Sequence, residues 1–167
     1  MTRLPPAPAP AARGAAPPSA EGRCEPASGP GWRLWHAQRA WVRHLEAALT
    51  PLGLTHTQLL VLAAAGRLGR EAPSQARLAE HVGIDRMTAS RVLRLLEAKG
   101  HVARAPHPGD PRANGVALTR AGADALARAL PLACRAQRAF FGRLDPEGQR
   151  ALDAQLARLL GPERRHP

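Results

Sequence analysis

Residues 74–100 hold the pattern that most limits how this chain can fold. A short helical stretch follows Ser74, and a longer one runs from Asp85 to a stop at Gly100. Serine and aspartate are favoured helix N-caps, and a glycine just after a helix readily takes the left-handed conformation that ends it. The turn between the two stretches is Val82-Gly83-Ile84. Two short helices joined by a turn that contains glycine predict a helix-turn-helix.

A hairpin is predicted to follow this motif. Residues 101–105 and 115–118 have the pattern of paired strands, and the turn-forming residues Gly-Asp-Pro-Arg at 109–112 lie between them. Thr119 is then placed to cap a helix over residues 120–142. The predicted fold class is mainly α with a small two- or three-stranded β wing, that is, a winged helix-turn-helix with additional helices.

Three helices with apolar stripes lie outside the winged part. They cover residues 32–50, residues 120–142 and a stretch that begins at Asp145-Pro146, and a further helix starts after Thr55. The stripes could pack within one chain or against a second copy of it. Residues 1–30 are rich in proline and poor in apolar surface, so they are predicted to form a disordered or extended tail.

Composition limits the classes of function that are open to this chain. The chain has 167 residues and a formal net charge of +11, and a basic domain of this size most often binds a polyanion, nucleic acid first. The cysteines are far apart and the histidines dispersed, so neither a disulfide framework nor a metal site is predicted. Without a membrane span or a secretory signal, the expected location is the cytoplasm. No nucleophile–base pair or phosphate-binding loop is present, so neither an enzyme nor a cofactor is expected.

The helix that begins at Asp85 has two contrasting faces. Four apolar residues share the face that is predicted to pack inward: Ala89, Val92, Leu93 and Leu96. The opposite face carries, at spacings of i, i+3, i+4 and i+7, the residues Met87, Ser90, Arg91 and Arg94. Arginine can bridge guanine or clamp a phosphate, and serine can donate to either. This pattern fits a recognition helix in a major groove, and it also fits an ordinary solvated face.

Basic residues continue through the hairpin and favour DNA as the partner. The positive charges from residue 86 to residue 120 are Arg86, Arg91, Arg94, Lys99, Arg104, Arg112 and Arg120, against Glu97 and Asp110. Arg112 would lie at the hairpin tip and enter a minor groove, while Asp110 could hold its guanidinium in a bidentate pair. The alternative is that Asp110-Pro111 is only a turn and Arg112 a surface charge.

Three segments resemble the MarR family of bacterial transcriptional regulators. In order, they are LGLTHTQLLVL, LAEHVGIDRMTASRVLRLLEAKGHV and DPRANGVALTRAG. The family's wing signature is an acid, a variable residue, an arginine, then Leu-Thr and a glycine, which matches Asp110, Arg112, Leu118, Thr119 and Gly122. The resemblance implies a homodimer joined through the first and last helices. Residues 31–56 and 120–161 would form this helical dimerisation region, and residues 57–119 the winged helix-turn-helix lobe.

Such a dimer is implied to bind a pseudo-palindromic operator in double-stranded DNA. The resemblance also implies that it often represses, and that a small aromatic or phenolic acid effector often releases it. The predicted DNA contacts are Ser74, Arg86, Met87, Thr88, Ser90, Arg91, Arg94, Asp110 and Arg112. Effector candidates, at the implied junction of the first, second and fifth helices with the lobe, are Trp35, His36, Arg39, His44 and His56. Arginine and histidine can take a carboxylate and tryptophan can stack on a ring, although these residues could equally fill a dimer core or be solvated.

Two other interpretations remain open. The winged domain could serve as a protein-interaction module or as a non-specific architectural DNA-binding module. Redox sensing is not predicted, because Cys24 lies in the tail and Cys134 is expected to be a small apolar filler within its helix.

Overall fold

The computed structural model describes residues 28–69, 72–107 and 110–161, so nearly all of the predicted tail, Cys24 included, lies outside the described residues. In chain order the elements are α1 (Pro30–Leu49), a 3₁₀ turn (Thr50–Leu52), α2 (His56–Leu68), α3 (Gln75–Val82), α4 (Arg86–Ala98), β1 (Val102–His107), β2 (Asp110–Leu118), α5 (Arg120–Phe141) and α6 (Pro146–Leu160). The predicted fold class, mainly α with a small β wing, is confirmed.

The chain divides into two compact units, residues 1–36 and 37–167. The described part of the first unit contains the beginning of α1, where the rings of Trp32 and Trp35 stack with centroids 5.9 Å apart. The ring of His36 lies edge-on to that of Trp32 at 4.2 Å. These aromatic side chains on one helical turn contact one another, and both tryptophans are about half exposed.

In the second unit, five helices begin at the predicted N-caps. Each capping side chain accepts a hydrogen bond from the backbone N–H three residues later, and the caps are Thr55, Ser74, Asp85, Thr119 and Asp145. Gly83 and Gly100 have φ of 73° and 69°, the left-handed conformation that ends α3 and α4. The cap at Asp85 follows Gly83 so closely that only three residues separate α3 from α4, as in a helix-turn-helix.

The wing is a two-stranded antiparallel ribbon. Val102 pairs with Leu118 and Ala105 with Gly115, and both strands extend beyond their predicted ends. The possible third strand is reduced to a single bridge between Ser74 and Gly115, next to a hydrogen bond that the Val116 N–H donates to a carbonyl just before α3. Residues 108–109 and the side chains of residues 105–114, including those of Asp110 and Arg112, lie outside the described part of the chain.

The core of the second unit consists of leucine, valine and alanine side chains. Its fully buried members include Leu49, Val61, Leu62, Leu78, Leu93, Leu96 and Val116. Helix α2 contacts α3, α4 and α5, so the core joins the helix-turn-helix to the helices on either side of it. This packing holds one face of α4 against the protein and leaves the other free.

The apolar faces of α5 and α6 differ in part from the predicted stripes. The stripe predicted for residues 120–142 includes Leu126, Leu130 and Ala133. Leu126 and Ala133 pack against the core, but Leu130 is 46% exposed, and the most buried positions of α5 include its small residues Ala125, Ala129 and Ala136. Small side chains spaced four and seven apart lie on one helix face and allow a neighbouring helix to approach closely, and α5 contacts α2. In α6, Leu159 is 77% exposed. Cys134 is exposed, so its predicted role as an apolar filler is wrong.

Candidate nucleic-acid interface

Helix α4 separates an apolar face from a basic one. Its four predicted inward residues are buried, with no more than 8% of each exposed: Ala89, Val92, Leu93 and Leu96. The side away from the core exposes Arg86, Met87, Arg91 and Arg94, which we call the outer face of α4, and Leu95 is exposed beside them. Met87 is 83% exposed, and Ser90 at the edge of this face is half-buried. The outer face therefore presents three guanidinium groups and the Met87 side chain to its surroundings.

The start of α4 is held by two hydrogen bonds between Asp85 and Thr88. The carboxylate accepts from the Thr88 backbone N–H at 2.9 Å and from the Thr88 hydroxyl at 2.6 Å. The Thr88 side-chain hydrogen bond, with that of its backbone, lowers the pKa of the Asp85 carboxyl below its ordinary value. Because this cap uses the Thr88 hydroxyl proton, Thr88 cannot donate to DNA while the cap persists. Ser74 likewise accepts from the Arg77 N–H at 3.2 Å in capping α3.

Three of the seven basic side chains predicted to attract DNA interact within the protein. Arg104 pairs with Glu97, Arg120 pairs with Asp124 at 3.3 Å, and the Lys99 ammonium donates hydrogen bonds to residues near the start of α2. The three arginines of the outer face make no ion pair with any described residue. Of the predicted basic side chains that the structure describes, those left without an ion pair or a side-chain hydrogen bond are thus the three arginines on the outer face of α4.

Arg104 is the clearest departure from the predicted basic footprint. Only 20% of its side chain is exposed, and its Nε lies 3.3 Å from Oε2 of Glu97. Its Nε and Nη2 atoms are buried and have no hydrogen-bond partner among the described residues. Arg104 therefore faces α4 rather than solvent, a position that the sequence pattern of the strand does not reveal.

The five effector candidates occupy different surroundings. In the first unit, Trp35 and His36 are in edge contact with ring centroids 4.8 Å apart. In the second unit, His44 lies beside Phe140 at 5.8 Å, and Arg39 is exposed. His56 is half-buried and its backbone N–H donates to Oε1 of Glu46 at 3.2 Å. Burial lowers the pKa of the His56 imidazole, and the nearby Glu46 carboxylate partly opposes this shift.

A cavity of about 380 Å³ lies between α5 and α6, and it contains none of the predicted effector residues. Its lining combines an aromatic ring, amides and charges: Gln137, Arg138, Phe141, Gln149, Arg150, Leu152, Asp153 and Leu156. Beside it, Phe140 and Phe141 each lie 5.5 Å from Trp41 between ring centroids. The sequence shows only that aromatic residues are scarce, and this scarcity does not indicate which rings pack together.

Two structural observations bear on classes of function. Among the described residues, no group of three histidine, cysteine, aspartate or glutamate side chains is arranged to hold a metal ion. No single helix of the described segments is long and apolar enough to cross a membrane. One pair of consecutive helices joined at a bend, Pro30–Leu52 with His56–Leu68, would be long and apolar enough when the two are taken together.

Comparison with known proteins agrees with this architecture. The sequence profile of the MarR family matches residues 52–113. YdcH of Bacillus subtilis, an uncharacterized HTH-type transcriptional regulator, is 34% identical over 118 residues, which cover 70% of this chain and 80% of that protein.

Solved structures give the same result. BpsR of Bordetella bronchiseptica, whose DNA binding is regulated by 6-hydroxynicotinic acid, has a TM-score of 0.77 and 25% identity over 85% of this chain and all of its own. The transcriptional repressor CouR, bound to a 23-mer DNA duplex, has a TM-score of 0.73 and 28% identity over 80% of this chain and 93% of its own. The winged helix-turn-helix, the exposed basic face of α4 and these similarities together identify the chain as a member of the MarR family of helix-turn-helix transcriptional regulators.

Proposed function

We propose that this regulator is a repressor that binds a pseudo-palindromic operator as a homodimer, in the cytoplasm. The outer face of α4 carries the proposal: Met87 and three arginines without an internal ion pair stand opposite a buried apolar face. A helix of this kind fits the major groove, where arginine can bridge guanine and an apolar side chain can contact the thymine methyl group. The DNA-bound CouR structure supports this assignment.

The proposed contacts fall into two classes. Arg91, Arg94 and Met87 would read bases or clamp phosphates from α4, with Arg86 and Ser90 at its edges. Arg112, aimed by Asp110, would reach the adjacent minor groove from the wing. Ser74 would donate its hydroxyl proton to a phosphate, because its oxygen already accepts from Arg77. The hydrogen bond from Thr88 to Asp85 removes Thr88 from this set as a donor.

The test begins with selection of bound fragments from genomic DNA, followed by footprinting and binding titrations over a range of salt concentrations. Two protected half-sites about one helical turn apart support a dimer on an operator. Uniform coating would instead support the architectural alternative, and a single protected half-site would contradict the dimer. Arg94→Ala should weaken binding at least tenfold and reduce the salt slope by about 1 if Arg94 clamps a phosphate, or relax base choice at one position if it reads guanine.

Arg158→Ala is the matched control, because it removes the same charge from α6, where the hydrogen bond of Arg158 among described residues is a long one, to Gln155 at 3.5 Å. Operator affinity should change little in this variant. Equal losses for Arg94→Ala and Arg158→Ala would mean that net charge alone drives binding, and the assignment of α4 would be wrong.

For the effector we propose a small aromatic or phenolic acid that releases the operator. Regulation of BpsR by 6-hydroxynicotinic acid supports this class of compound. The predicted effector residues remain Trp35, His36, Arg39, His44 and His56, and His44 is the first to test because it lies against the Phe140 ring. Benzoates and nicotinates would be titrated against the operator complex of the native protein and of His44→Gln. Failure of all of them to release DNA would overturn the proposal.

A further inference from the structure

Lys99, the only lysine in the chain, ends α4 and points its ammonium at the corner between α1 and α2. Its Nζ donates to the carbonyl oxygen of Gly53 at 2.6 Å and to Oε1 of Gln58 at 3.0 Å. These acceptors lie 46 and 41 residues earlier in the sequence. One side chain therefore connects the end of the proposed recognition helix to a distant turn.

The turn that Lys99 reaches is itself well ordered by hydrogen bonds. Gly53 has φ of 60°, and its N–H donates to the Thr50 carbonyl at 2.9 Å. Gln58 is only 4% exposed, and its Oε1 also accepts from the Thr55 N–H at 3.3 Å in the capping box of α2. A fixed carbonyl and a buried amide oxygen make a defined receptor for one ammonium group.

Lys99 is badly placed for a direct contact with DNA. At 1.5 Å per residue, it lies about 18 Å along the helix axis from Met87, whereas recognition helices contact bases with their N-terminal residues. Two of its three donors are already used within the protein. Its charge therefore contributes to internal structure, although the sequence pattern places it in the basic footprint.

We propose that Lys99 is a positioning residue for DNA binding, which fixes the orientation of the outer face of α4 by tying the end of the helix to Gly53 and Gln58. The inference rests on the proposed function of α4 as the recognition helix. Apolar packing of Val92, Leu93 and Leu96 holds α4 against the core, but the hydrophobic effect that drives this packing is non-directional. The hydrogen bonds from the Lys99 ammonium are directional and therefore restrain the orientation of α4.

The test compares Lys99→Met, which keeps the side-chain stem, with Gln58→Met, which removes the acceptor without changing charge. Operator affinity is measured across salt concentrations, with the free energy of unfolding measured in parallel. We expect each variant to bind about fivefold more weakly with an unchanged salt slope, and the double variant to bind no more weakly than either one. Gln58→Glu, which retains the acceptor oxygens, and Lys99→Arg should restore most of the affinity.

Two results would overturn the inference. If Lys99→Met lowers the salt slope by about 1 while Gln58→Met leaves affinity intact, Lys99 contacts a phosphate. If both variants lose stability but bind the operator normally, the link is only structural. A native protein that selects no operator at all would contradict the proposed function instead, and the two failures are therefore distinguishable.

Discussion

Glu97 in the last turn of α4 and Arg104 on β1 form an ion pair, with 3.3 Å between Oε2 and Nε, that joins α4 to the wing. Glu97→Gln should weaken operator binding about threefold, although the substitution removes a negative charge, because the largely enclosed Arg104 guanidinium loses the partner that positions β1. The measurement is operator affinity at constant salt, with unfolding in urea to follow stability.

Asp124→Asn is the matched control for that prediction. It makes the same change of charge and breaks the exposed pair with Arg120, which is worth about 0–1 kcal/mol at most. Binding in this variant should be unchanged or slightly tighter. If Glu97→Gln also tightens binding, then net charge, and not the ion pair between α4 and the wing, determines operator affinity.

Gly122 is predicted to be irreplaceable for steric reasons. A Cβ at this position would collide with the carbonyl oxygen of His101, which accepts a hydrogen bond from the Thr119 N–H at 3.1 Å. Gly122→Ala should therefore destabilise the fold by about 3 kcal/mol. Urea unfolding would measure the loss, and Gly69→Ala, where a Cβ meets no atom within 4 Å, should be tolerated. Equal stability of the two variants would contradict the packing described here.

The Asp85 cap predicts a loss of stability in acid. Because the folded-state pKa of Asp85 lies below its ordinary value of 3.8, its stabilising effect is complete above that value and disappears as the pH falls through the lowered pKa. Asparagine in Asp85→Asn still caps α4 but does not titrate. This variant should therefore lose less stability than the native protein as the pH falls below about 4. Thermal midpoints over this range test the prediction, and parallel curves for the two proteins would refute it.

Two histidines predict a second dependence on pH, at higher values. Burial lowers the pKa of His56, and burial together with Lys99 and Arg128 lowers the pKa of His101. In the unfolded chain both imidazoles take up a proton near pH 6.5, whereas in the folded chain they do so only at lower pH. The free energy of unfolding should therefore fall as the pH drops through 6.5 toward the lowered pKa values. Urea midpoints for a His56→Gln/His101→Gln variant should change less across this range than those of His81→Gln.

The helix boundaries could be predicted because their signals are local. A cap such as Thr55 or Asp85 forms its hydrogen bond three residues away, within the same turn, and a glycine such as Gly100 ends a helix through its own backbone. The buried face of α4 follows equally from spacing along one helix. These features need no knowledge of which distant elements meet.

The distribution of charge could be predicted only in total. The sequence shows that Lys99 and Arg104 are basic, but their partners are a carbonyl at residue 53, an amide at residue 58 and the carboxylate of Glu97 on another element. The same limit applies to α5, where Leu130 has the hydrophobicity of a core residue and still lies exposed, because α2 packs beside smaller side chains.

The hydrogen bond from the Val116 N–H to the carbonyl of Pro73, at 3.0 Å, joins the ribbon to the chain two residues before α3. With Ser74 bridged to Gly115 as well, displacement of the ribbon is expected to carry the start of α3 with it. In the proposed dimer, the wing and α3 of each copy would therefore shift together when the spacing of the two lobes changes.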